Sequence, residues 1–155
     1  APSKYYQGKD FKHVGASWLT KEDTSQETVN VLNYVDSVWN AEKPATIPKL
    51  IILGYSQGVS IATRWMSSRK IQCDHLILHS GGIPKELVPS DFEYLHAQTP
   101  VTYLYGNKDE YITEAGKTEE SLKGTQLFGN RLRIEVFEGI HEVNTAFLLE
   151  IASKK

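Results

Sequence analysis

The stretch Gly54-Tyr55-Ser56-Gln57-Gly58 puts one serine between two glycines, after the apolar run Lys49–Leu53 and before residues with helical spacing. If the chain reverses there from strand to helix, the central residue is held in strained backbone geometry with its Oγ projecting beyond the sheet. Side chains two positions either side would collide with the strand and the helix, which accounts for both glycines. A helix N-terminus favours developing negative charge, and the Gln57 N–H can donate to an oxyanion. The plainer alternative is a glycine-rich turn with a solvent-facing serine. A nucleophilic serine needs a base, and the base needs an orienting carboxylate. Asp109 follows the apolar run Val101–Tyr105, and His141 follows the run Leu132–Phe137 in Glu138-Gly139-Ile140-His141-Glu142. Glu110 is the alternative to Asp109. Of the other histidines, His79 lies inside an apolar run and reads as buried and hydrogen-bonded. His75 begins that run, and His13 and His96 have no such setting.

These three residues can act together only if the elements before them end along one edge. Four runs have the length and composition of buried strands: Lys49–Leu53, His75–His79, Val101–Tyr105 and Leu132–Phe137. The first three are nearly continuous and apolar, as in a parallel sheet covered on both faces. The fourth alternates, as nearer an edge. Between them lie helical patterns. Thr24-Ser25-Gln26-Glu27 reads as a capping box, with Val31, Leu32, Val35, Val38 and Trp39 on one face and Pro44 and Pro48 closing the segment. Val59, Ala62, Trp65 and Met66 predict a helix directly after Ser56. A weaker helix covers about 114–123, ended by Gly124. The last begins near Asn144, with Phe147, Leu148 and Ile151 on its apolar side. The sum is an α/β class fold, a mainly parallel sheet with flanking helices. Ligands in such sheets bind outside the strands' carboxyl ends, where Ser56, Asp109 and His141 each fall.

At 155 residues, 40% hydrophobic and 23% charged, the chain has the composition of a globular protein. One domain over residues 1–155 is expected, burying roughly 68–70% of the unfolded chain's surface. The formal charge of −2 argues against nucleic acid or an anionic membrane as the main partner. The basic and aromatic stretch Lys4–His13 reads as a solvated loop. Cys73 is the only cysteine, so an internal disulfide and a cysteine-based zinc site are both excluded. It reads as a small buried hydrophobe. No run approaches the 18 apolar residues of a membrane helix, and Ala1–Asp10 has no apolar signal-peptide core, so a cytoplasmic location is expected.

GYSQG, LHSGGIP, LYGNKDEYI and FEGIHEV together resemble the phospholipase/carboxylesterase group of α/β-hydrolases, relatives of acyl-protein thioesterases. The resemblance runs from about His13 to the end. It implies a Ser56–His141–Asp109 triad, an oxyanion N–H from Gln57, an acyl-ester or other small-molecule substrate, and no metal or organic cofactor. It also implies a substrate-binding role for Trp18, alternatively a core aromatic, and for Leu19 and the Ile83–Val88 segment. Family members have several strands before this point, one of whose loops gives a second oxyanion donor. The chain opens on Ala1-Pro2-Ser3, which looks like the end of a strand. An N-terminally incomplete hydrolase fold is therefore expected, with an exposed sheet edge open to self-association or to a covering partner segment. Two rivals use the same residues: a peptidase or amidase, and a non-catalytic binding module of the same fold.

Overall fold

The computed structural model describes residues 3–6, 8–10, 12–47 and 49–153. Ala1, Pro2 and Pro48, read from sequence as a strand end and a helix-to-strand break, lie outside them. By its internal contacts the chain forms two compact units, residues 1–47 and 48–155.

In the first unit β1 (Ser3–Tyr6) pairs antiparallel with β2 (Val14–Ser17). Part of the stretch expected to be a loop is thus a strand. Helix α1 (Thr24–Glu42) buries Val31 and Leu32. The capping box does not form, because the helix begins at Thr24 itself and leaves the cap position to Asp23, at φ 48°. The Glu27 carboxylate instead accepts from the Thr20 backbone N–H and hydroxyl at 2.6 and 2.9 Å. Pro44 follows the helix end, as expected of a residue that cannot continue it.

The second unit is a four-stranded, wholly parallel sheet in the order β3 (Ile51–Tyr55), β4 (His75–His79), β5 (Val101–Gly106), β6 (Leu132–Phe137). Helix α2 (Gly58–Arg69) joins β3 to β4, α3 (Glu114–Phe128) joins β5 to β6, and α4 (Thr145–Ser153) follows β6. The four strands lie where the apolar runs predict, except that β3 is shifted along by two residues: Lys49 and Leu50 precede it, and Gly54 and Tyr55 still pair with Leu78 and His79. Coverage is uneven. All five residues of β4 are buried, and Leu76, Ile77 and Leu78 have no exposed surface. Such side chains stabilise by roughly 1.5–3 kcal/mol each. Among the described residues β3 has one neighbour, so Leu53 is 39% exposed instead of covered. At the other edge β6 leaves Ile134 and Val136 exposed.

One helix end differs from expectation for a steric reason, and another falls where expected. Helix α3 does not stop at Gly124 but passes through it to Gly129, where φ is +57°. Gly124 is a packing glycine: a Cβ there would stand 2.9 Å from Leu132 Cδ2. Helix α4 begins at Thr145 because Asn144 caps it, its Oδ1 accepting from the Phe147 N–H at 3.0 Å.

Candidate active site

Ser56 follows the last residue of β3 and stands at φ +52°, a conformation that costs a non-glycine residue roughly 1–3 kcal/mol. Three contacts hold it there. Its N–H donates to the His79 carbonyl at 2.8 Å, one step beyond the ladder between β3 and β4, and its own carbonyl accepts from Val59 N–H at 3.0 Å. The third is steric: a Cβ at Gly81 would lie 1.9 Å from Ser56 O. The role read for Gly54 is borne out, since a Cβ there would stand 2.6 Å from Val59 Cα, where helix α2 leaves the turn. Gln57 is the residue just before α2, and so sits at its N-terminus.

The loops after β5 and β6 are tied to each other. Asn107 N–H donates to Phe137 O at 2.8 Å, Lys108 N–H to Gly139 O at 2.9 Å, and Gly139 N–H to Asn107 Oδ1 at 3.2 Å. Gly106 lets them approach, for a Cβ there would lie 2.3 Å from Gly139 O. At the surface Lys108 pairs with Glu138, which holds the Glu138 carboxyl below its ordinary range. The result is that Asp109 and His141, 32 residues apart, meet: Nδ1 of His141 is 2.8 Å from Asp109 Oδ2. The other Asp109 oxygen accepts from Tyr111 N–H at 3.0 Å, and the carboxyl side chain has no exposed surface. Glu110, the alternative carboxylate, is exposed.

Nε2 of His141 is 3.0 Å from Ser56 Oγ. An Nδ1–H directed at a carboxylate leaves Nε2 as the acceptor. The hydroxyl can then give its proton to the ring, and the buried carboxylate can stabilise the cation that forms.

Further side chains fix the imidazole, and sequence analysis assigns them no such role. The Tyr55 hydroxyl donates to the His141 carbonyl at 2.9 Å. Burial raises the Tyr55 pKa, with the Asp109 and Glu142 charges adding to it. Asn144 N–H donates to His79 Nε2 at 3.0 Å, and His79 Nδ1 is 3.0 Å from Ser80 Oγ. An accepting Nε2 requires a neutral ring protonated at Nδ1. Burial and the neighbouring His141 push the His79 pKa down to about 4, against a smaller opposing pull from Asp109. The reading of His79 as buried and hydrogen-bonded therefore holds, and its partner is the loop that carries His141. Tyr111 lays its ring edge-on to His141 at 4.8 Å. Ser80 repeats the conformation of Ser56, at φ +50°.

Ser56, Gln57 and His141 open into a cleft of about 530 Å³, also lined by Gly81, Gly82, Tyr103, Tyr111 and Glu120. Of the Ile83–Val88 segment, Ile83 and Leu87 are buried side chains and Val88 is exposed. Trp18 belongs to the 1–47 unit, where its ring stands 6.5 Å from that of Tyr34 on α1. Among the described residues no three His, Cys, Asp or Glu side chains are grouped as metal ligands, and no helix is long and apolar enough to cross a membrane.

The sequence model of the phospholipase/carboxylesterase family matches residues 13–153. No curated protein matches by sequence. Among solved structures, acyl-protein thioesterase 2 of Zea mays superposes with a TM-score of 0.61 at 16% identity, over 89% of this chain and 70% of that one. A phospholipase/carboxylesterase of Dyadobacter fermentans gives 0.60 at 18% identity, over 94% and 71%. The Bacillus cereus carboxylesterase gives 0.56 at 17% identity, over 88% and 62%. At such identities the likeness speaks for the fold alone.

Proposed function

The chain belongs to the phospholipase/carboxylesterase family, an esterase- and thioesterase-like group of hydrolases, and on that premise we propose that it hydrolyses carboxylic esters or thioesters through Ser56, His141 and Asp109. The observation that carries the proposal is the unbroken line from Ser56 Oγ through His141 to the buried Asp109, at 3.0 and 2.8 Å. It rests on a hydroxyl, a ring nitrogen and a carboxylate each within proton-transfer reach of the next.

In the reaction His141 Nε2 takes the Ser56 proton as Oγ attacks the ester carbonyl carbon. The carbonyl π pair moves to oxygen, and the oxyanion is met by the Gln57 N–H and the N-terminus of α2. Asp109 holds the ring's tautomer and offsets the imidazolium charge. The oxyanion then collapses, the C–O or C–S bond breaks, and His141 gives its proton to the departing alcohol or thiol. Water repeats the sequence on the acyl-serine, releasing the acid and restoring the hydroxyl. Each oxyanion donor is worth about 10²–10³ in turnover, so the strength of the Gln57 contact bears directly on rate.

The test is intact mass after treatment with a fluorophosphonate, beside the hydrolysis rate of a short-chain nitrophenyl ester. One adduct, localised to Ser56, and activity lost in Ser56→Ala are expected. A folded protein that takes no adduct, or a Ser56→Ala variant that keeps its esterase activity, overturns the assignment.

A further inference from the structure

Beyond Ser56 the cleft carries an unusual wall for a site that would hold an acyl chain. A Cβ on Gly81 would overlap the Ser56 carbonyl, Gly82 follows it, and against Gly82 lies the Glu120 carboxylate from helix α3. Glu120 Oε1 is 3.3 Å from where a Gly82 Cβ would stand. The other oxygen accepts from the Ile83 N–H at 2.8 Å, which fixes the side chain in place. Glu120 is half-buried and lines the cleft with Tyr103, Tyr111 and Thr113.

The neighbouring cations make their short contacts with other groups. Lys85 pairs with Glu119 at 2.8 Å, and Lys123 donates to the Lys85 and Leu87 carbonyls at 2.9 and 2.6 Å. Among the described residues no cation forms an ion pair with Glu120. Burial raises its pKa and Glu119 adds to this, while the Ile83 N–H, Lys85 and Lys123 oppose. A half-buried, unpaired carboxylate facing a cleft favours a cation there and disfavours an anion or a purely alkyl chain.

We infer that Glu120 is a specificity residue, selecting esters that bring an ammonium group into the cleft beside the scissile carbonyl. The inference rests on the hydrolase assignment for its turnover readout but not for its binding readout. Two matched pairs of esters identify which side of the carbonyl carries the cation. On the acyl side, nitrophenyl 4-(trimethylammonio)butyrate is compared with its neutral isostere, nitrophenyl 5,5-dimethylhexanoate. On the leaving-group side, butyrylthiocholine is compared with S-3,3-dimethylbutyl thiobutyrate.

At pH 8 one pair should show about a tenfold preference in kcat/KM for the cation. Glu120→Gln keeps an acceptor for Ile83 N–H and removes the charge, and should bring the ratio near one, with Ser56 in the variant still labelled by the fluorophosphonate. Calorimetric titration of the Ser56→Ala protein with the same pairs reads the preference without turnover. Equal constants within both pairs, or a preference that survives Glu120→Gln, overturn the role of Glu120. A protein that resists the fluorophosphonate yet keeps a Glu120-dependent binding preference overturns the hydrolase assignment instead.

Discussion

The parallel sheet opens into a cleft at each end of its strands, and the two differ more in order than in size. The cleft at the carboxyl ends measures about 530 Å³ and that at the amino ends about 480 Å³. The amino-end cleft is the richer in charge, lined by Lys49, Asp74, Arg133, Glu135 and Glu150, and it too holds a histidine. There His75 meets the Thr102 hydroxyl at 2.9 Å, and the Asp74 carboxylate accepts from Leu50 N–H at 2.6 Å. At the carboxyl ends, His141 stands between a buried carboxylate and a hydroxyl. Helix α2 starts there, adding a partial positive charge. The difference between the clefts is thus a matter of which groups face which, at what distance, and not of how many titratable groups share a cleft.

The sharpest way to break this contrast is to remove each histidine in turn. His141→Ala should lower kcat for a nitrophenyl ester by about 10⁴-fold or more. His75→Ala should leave it within about twofold. Comparable losses from the two would erase the distinction between the clefts.

The next effect concerns His79, which braces the His141 loop. Its folded pKa of about 4 lies below the ordinary 6.5, so the unfolded chain binds the extra proton first. Its contribution to stability is therefore complete above about pH 6.5 and is lost as pH falls toward 4, by roughly 3 kcal/mol in all. Urea denaturation at pH 7 and pH 4.5 should show that slope, and His79→Asn should flatten it. An unchanged slope in the variant would place the titration elsewhere.

Gly81→Ala comes third. Its Cβ would overlap the Ser56 carbonyl, and displacing the nucleophile by about 1 Å is worth about 10² in kcat. Fluorophosphonate labelling should slow in parallel while the unfolding transition stays cooperative. The smallest change is at the amino ends. Thr102→Ala deletes the His75 contact and should cost about 1 kcal/mol of stability, with esterase activity unaltered. A loss of activity there would join two clefts that the contrast keeps apart.

The four parallel strands were legible because apolar runs of five or six residues bounded by turn signals have few other uses, and β4 to β6 fall within a residue of prediction. That Ser56, Asp109 and His141 share one edge was legible for a related reason: each lies within four residues of the end of such a run. What the sequence could not convey depends on neighbours far along the chain. Gly124 looks like a helix stop and is instead a seat for Leu132. Glu27 has the spacing of a capping box, but a helix starting at Thr24 turns its carboxylate to Thr20. Tyr55 is an unconstrained position in the serine motif, and its hydroxyl acquires a role only where the chain 86 residues later passes beside it. Glu120 lies on a helix with little separation of polar and apolar faces, where one more glutamate carries no signal.

The lone cysteine gives the protein a built-in clock. Cys73 is 5% exposed, and burial, with the Asp74 charge adding to it, pushes its thiol up to about 11. At pH 8 only about one molecule in a thousand then holds the reactive thiolate, and that one is shielded from any bulky reagent. A chromogenic disulfide can therefore report only on molecules that have opened. Under excess reagent its colour should develop at the opening rate of the sheet, without an added dye or tag. Holding the cleft with a fluorophosphonate and timing that colour again would measure how far the bound serine and the distant thiol belong to one cooperative unit.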